Sequence, residues 1–294
     1  MIKNAKITHG LLGLGLAVAS QAASATAINF GFGQSVVDAY NTAHGTSYST
    51  GVSPGASYTD AASGVTASAY YLNSSNAWTS GSLWARNETN DNGLGVCSQG
   101  EGSYCVTGQG GNGDWNELSQ EMNQEYIVLE RPAGYSWSQL VASSLDNNNG
   151  AGPESGMLFW SDSSNDMNVN TFLSSLSSSS NHFTFQNGDF GSTSTVQGDV
   201  LATAAGQSSG FNPNAKFVAF RSGSLGGSTT SSSTYNSYKC KWKHNCTSTS
   251  STTSTNNDYV VYGGALTSIP EPGTLALMGV GLAGLFMGRR RPKP

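Results

Sequence analysis

The sequence predicts an all-β fold, a β-sandwich of the jelly-roll or Greek-key kind. Short apolar or alternating runs recur between clusters of Gly, Asn, Asp, Pro and Ser, and long helical patterns are scarce. Charged residues make up only 11% of the chain and Gly supplies 37 of its 294 residues, the composition of a wet, turn-rich domain. Between two unusual termini lie about 240 residues, enough to bury one good core.

The strand candidates, in order, are Ile28–Phe32, Val65–Leu72, Ser82–Arg86, Tyr126–Glu130, Gly156–Trp160, Phe183–Gln186, Asp199–Thr203, Lys216–Arg221 and Asp258–Tyr262. Tyr126–Leu129 is continuously apolar, as a central strand covered on both faces would be. Lys216–Arg221 alternates, and Phe217 and Phe220 are expected to share one buried face. Ser35–Ala43 and Trp115–Glu125 are the best short helices. The second would stack Glu117, Glu121 and Glu125 on one face, where like charges repel, so it is either exposed or not formed. The Ser/Thr-rich segment 223–257 reads as a long loop joining neighbouring strands, with Ser174–Ser180 a second such tract.

At the N-terminus, Lys3 and Lys6 precede an apolar run, Leu11–Ala19, and small residues ending at Ala25 or Ala27. That pattern is a secretory signal peptide over 1–27, cleaved after either alanine. The remaining body, 28–268, is the ectodomain. Residues 269–294 hold Pro270-Glu271-Pro272, an uncharged run from Gly273 to Met287, and Arg289, Arg290, Arg291 and Lys293. The prolines set Glu271 in an extended, accessible backbone. As a helix the apolar run spans roughly 22 Å at about 1.5 Å per residue, a short transmembrane segment that inserts weakly. The basic end holds itself on the cytoplasmic side.

This three-part tail resembles the PEP-CTERM sorting signal of Gram-negative bacteria, its elements falling in the family's order. The resemblance implies an exosortase as partner, transient anchoring in the inner membrane, removal of the tail, and passage to the cell surface or extracellular matrix. With no catalytic pattern of comparable specificity in the body, the expected role is structural or adhesive, in the polysaccharide layer at the cell surface.

The four cysteines of an exported chain favour disulfides. Of the three pairings open to them, proximity favours Cys97 with Cys105 and Cys240 with Cys246. Six of the 13 Lys and Arg sit in the two termini, so the body is acidic and nucleic acid is excluded as a partner. Within the body one basic cluster stands out, where Lys239, Lys241 and Lys243 alternate with Cys240 and Trp242, a candidate contact for an anionic polysaccharide.

No GxSxG, HExxH or phosphate-cradling loop occurs, and the chain reads as non-enzymatic, without cofactor or assigned metal. The Asx-rich runs 87–93 and 162–168 offer oxygens to calcium but lack the EF-hand pattern, and local turns give the same composition. The alternative is a carbohydrate-binding module or glycoside hydrolase using Glu117, Glu121, Glu125, Glu130 or Glu154, with Trp115, Trp137 and Trp160 as stacking platforms. Against it, Glu130 reads as readily as an ion pair with Arg131, and Glu154 lies in a plain turn.

Overall fold

The computed structural model describes residues 27–88, 92–99, 105, 107, 117–118, 123–145, 147–148, 152–162, 167–186, 199–203, 210–223, 233–241, 245–253, 259–269, 279 and 282. For 147–148, 152–153, 199–203, 233–241 and 245–253 the description is of the backbone alone.

The chain opens with β1 (Ala27–Gly31) and helix α1 (Gly33–His44), then β2 (Val52–Gly55), β3 (Ser57–Thr59), β4 (Thr66–Leu72) and β5 (Trp78–Ser80). Next come β6 (Ser82–Asn87), β7 (Asn92–Cys97), β8 (Gln124–Glu130), β9 (Tyr135–Ser143), β10 (Asn147–Asn148), β11 (Gly152–Pro153) and β12 (Ser155–Trp160). Helix α2 (Val169–Ser175) precedes β13 (His182–Gln186), β14 (Asp199–Thr203) and β15 (Phe217–Ser222). The last three strands are β16 (Ser233–Lys241), β17 (Asn245–Thr253) and β18 (Val260–Ser268).

Two antiparallel sheets of seven strands form a sandwich. The first runs β14-β9-β18-β7-β6-β2 with β1 also on β18, and the second runs β13-β12-β15-β8-β4-β3 with β5 on β4. The chain crosses between the sheets repeatedly, at β2–β3, β5–β6, β7–β8, β8–β9, between β9 and β12, at β13–β14, at β14–β15 and between β15 and β18. Between the sheets lies one core. The first sheet contributes Leu83, Leu94, Trp137, Leu140 and Val261, and the second contributes Ile127, Leu129, Leu158, Val218 and Phe220. Val36 and Val37 of α1 complete it, and the helix ends where Gly45 adopts φ +63°.

The second sheet is covered on its outer face as well. There Tyr126, Val128, Met157, Phe159 and Phe217 pack under Phe172 and Leu173 of α2, with Phe172 stacked on Phe217 at 5.6 Å between ring centres. The Asn168 side chain caps α2 by accepting from the Thr171 N–H at 3.0 Å. This second layer explains why Tyr126–Leu129 is apolar without interruption: all four residues are buried.

Several expectations are corrected. Phe217 and Phe220 lie three apart and so face opposite ways, one under α2 and one in the inter-sheet core. No helix covers the described part of 115–125. Leu118 instead bridges Tyr259, Gln124 and Glu125 begin β8, and Glu117 pairs with Arg86 rather than with another glutamate's face. The Ser/Thr-rich segment is not all loop, since β16 and β17 form an antiparallel hairpin there. It also joins β15 and β18, which belong to different sheets. The last strand candidate, Asp258–Tyr262, begins two residues early and stops six short, because β18 runs from Val260 to Ser268.

β18 sits inside its sheet and admits a close neighbour through glycine. Gly263 has φ +153°, and a Cβ there would overlap the Phe30 carbonyl and come within 2.8 Å of the Gly31 Cα. Gly263→Ala is therefore expected to cost about 2–3 kcal/mol in urea denaturation, from backbone strain plus the clash. Gly134→Ala, at φ +80° with nothing within 4 Å of the added Cβ, should cost about 1 kcal/mol.

Candidate functional site

The sequence concentrates its functional signals at the two ends, and the fold brings the domain's own ends together. β1 pairs with β18 in the register Ala27↔Thr267 and Ile28↔Leu266. On the other side β18 pairs with β9 as far as Ser268↔Tyr135, and the Ile269 N–H donates to the Gly134 carbonyl at 2.8 Å. The backbone is thus held up to the residue before Pro270. Ile269 is 37% exposed where the chain leaves the sandwich. Cleavage after Ala25 keeps all of β1, and cleavage after Ala27 removes its first residue.

Pro270, Glu271, Pro272 and Arg289–Arg291 lie outside the described residues, as does Ala25. Among the described residues no helix is long and apolar enough to cross a membrane. Lys239 and Lys241 belong to β16 by their backbone, while Trp242, Lys243 and His244 lie outside the description. The Cys97–Cys105 disulfide is present, with Cα atoms 6.3 Å apart, and ties the end of β7 to the segment that follows. Cys240 and Cys246 are direct cross-strand partners in the β16–β17 hairpin. Antiparallel partners sit roughly 4.5–5.5 Å apart at Cα, within the span of a disulfide.

The acids considered for catalysis are distributed through the structure. Glu117 and Arg86, both nearly buried, form an ion pair, and Glu117 also accepts from the Ser144 hydroxyl at 3.2 Å. Glu130 pairs with Lys216 at 3.3 Å. Its expected partner Arg131 donates instead to the Ala215 carbonyl at 2.8 Å and to the Asn214 and Pro132 carbonyls. Burial lowers the Arg131 pKa from its ordinary value. Glu125 and Glu154 are buried, the latter contrary to its reading as a plain turn. Glu121 lies outside the described residues.

The tryptophans serve packing. Trp137 is fully buried with its indole N–H on the Ala215 carbonyl at 2.8 Å, and Trp160 packs edge-on to Phe211 at 5.6 Å. Trp115 is outside the description. Of the calcium runs, Asn92 donates to Asn87 and Asp162 accepts from Asn181 at 2.8 Å, the local bonding expected of turns. Among the described residues no cluster could hold a metal ion.

Among the described residues two clefts open on the surface. One, of about 430 Å³, is lined by Gly64, Thr66, Glu130, Arg131, Pro132, Ala133 and Lys216, whose charges are already engaged with each other or with carbonyls. The other, of about 440 Å³, lies across β1, β18 and β9, and sequence reading missed it. Its residues come from three distant segments, which only the pairing of first and last strands unites.

A sandwich whose final strand runs without a linker into a proline-bounded, apolar and basic tail is an exported domain carrying its address at the C-terminus. Residues 268–291 match the PEP-CTERM protein-sorting motif. This motif marks proteins processed by an exosortase, and it implies export with passage across the inner membrane and transient anchoring there. No curated protein and no solved structure matches the chain. The match begins at Ser268, the last residue of β18.

Peptide mapping without reductant is expected to recover Cys97 joined to Cys105 and Cys240 joined to Cys246, and a Cys97 link to either distal cysteine would contradict that. A second prediction concerns pH. The Tyr259 hydroxyl donates to the Arg221 carbonyl at 3.0 Å, and full burial raises its pKa well above the ordinary 10.0, with Arg221 pulling it down less strongly. The folded value exceeds the unfolded one, so this contribution to stability is complete below pH about 10 and is lost as pH rises towards the folded value. Tyr58, Tyr70 and Tyr126 are raised too, chiefly by burial. Denaturation curves should show stability falling above pH about 10, and Tyr259→Phe should flatten that fall while costing about 1 kcal/mol at neutral pH.

Proposed function

We propose that the mature sandwich is a structural or adhesive, non-enzymatic component of the extracellular polysaccharide layer, delivered there by exosortase processing. The observation that carries this reading is the direct passage of β18 into the sorting motif, which makes the folded domain itself the cargo. Exosortase is the partner at the inner membrane, and exopolysaccharide is the partner afterwards. Supporting a non-enzymatic role, Glu117 and Glu130 are committed to Arg86 and Lys216. The alternating lysines 239, 241 and 243 add positive charge suited to an anionic polysaccharide on an otherwise acidic body.

Intact-mass measurement of surface material is expected to give a chain that starts after Ala25 or Ala27 and ends near Pro270–Pro272. Glu271→Ala should lower processing at least about tenfold and leave the precursor in the inner membrane, as a loss of about 1.4 kcal/mol in recognition would. Surface protein that still carries Arg289 to Pro294 would sink the processing scheme. A deletion strain whose matrix retains normal cohesion and polysaccharide content would sink the structural role while leaving the sorting intact.

A further inference from the structure

The cleft across β1, β18 and β9 is built by register. One row places Asn29 beside Ala265 and Ala265 beside Gln139, and the next places Gly31 beside Gly263 and Gly263 beside Val141. With strands about 4.8 Å apart, Asn29 and Gln139 stand roughly 10 Å apart at Cα across a central strand that carries only small residues there. Tyr262 bounds the cleft, a ring carbon lying 4.0 Å from where a Cβ on Gly31 would sit. Asn29 is exposed, and Gln139 and Tyr262 are half-buried. None of these three side chains hydrogen-bonds to another described residue, and the Tyr262 ring is not paired with another ring among them.

Among the described residues no carboxylate, ammonium, guanidinium or imidazole lines this cleft. A charged guest would lose its hydration without gaining a counter-charge, so a neutral one is favoured. Each carboxamide offers two donors and an acceptor, a match for neighbouring hydroxyl groups, and the Tyr262 ring offers an apolar face and a hydroxyl. About 440 Å³ is within the range of small-ligand sites. We propose that this cleft binds a sugar unit of a neutral polysaccharide, with Asn29 and Gln139 gripping its hydroxyls and Tyr262 packing on its C–H face. Binding without cleavage is expected, since glycoside hydrolysis needs a pair of carboxyl groups at the bond. The site deepens the proposed role in the polysaccharide layer and rests on it for a supply of glycan. It is separate from the lysine run at 239–243, which suits an anionic chain.

The test uses the mature protein recovered from the surface, in affinity electrophoresis through gels containing cellulose-derived β-1,4-glucan, soluble β-1,3-glucan, mannan, galactan or, separately, anionic alginate. At least one neutral polysaccharide is expected to retard the protein. Tyr262→Ala should weaken that binding about tenfold, and Asn29→Ala and Gln139→Ala about threefold to tenfold each. Gly31→Val fills the floor where an added Cβ meets nothing closer than 3.9 Å, and it should abolish retardation with the melting temperature unchanged. Undiminished retardation of the folded Gly31→Val and Tyr262→Ala proteins would overturn the site. So would retardation by alginate alone, or by none of the five. Fractionation of the same variants separates the two ideas: surface location with lost retardation supports the cleft, and normal location without any wild-type retardation removes the cleft while leaving export in place.

Discussion

The pairing of β18 inside its sheet is the constraint on which the rest depends. It has β9 along its whole length on one side, with β1 and, at Leu94, β7 on the other. A central strand cannot be omitted without exposing two rows of unpaired backbone groups and opening the core at Val261 and Leu266. Yet it is the last strand made. Ala27 waits for Thr267 with nearly the whole domain between them. Loop closure of that length costs entropy before any contact repays it, so the first sheet closes late.

The two sheets are unequal for a reason visible in their sequences. The second carries apolar residues on both faces because α2 and the segment after it cover its outside, adding a small core around Phe159, Phe172 and Phe217. The first has a more polar outer face, where Gln139 and Asn29 lie and where the small residues Gly263 and Ala265 leave a depression. One sheet is thus committed to stability and the other retains a surface able to meet a partner.

Much of this was legible in the chain. The apolar run Tyr126–Leu129, the alternation at Thr66–Leu72 and the Val36–Val37 helix declare themselves through local periodicity, which depends only on which faces are buried. The tail was the clearest signal of all, because three unlike elements fall in order there. β9 was not legible. Its Ser136, Ser138 and Gln139 imitate a loop, and its apolar half reaches the core only beside β18. β7 was hidden by Gly93 and Gly95; a Cβ on Gly93 would lie 2.6 Å from the Val261 carbonyl, so glycine there marks close approach rather than a turn. The Arg86–Glu117 pair and the cleft beside β18 were also out of reach, since each joins segments far apart in sequence.

The missing linker between β18 and the sorting motif has a mechanical consequence. Any pull on the domain while the tail holds the membrane enters through Ser268 and runs along the strand axis. Hydrogen bonds on both flanks of β18 are then loaded together in shear instead of opening one at a time from an end. The strand that completes the sheet is also the one that bears the pull, and the domain meets traction along its most resistant direction.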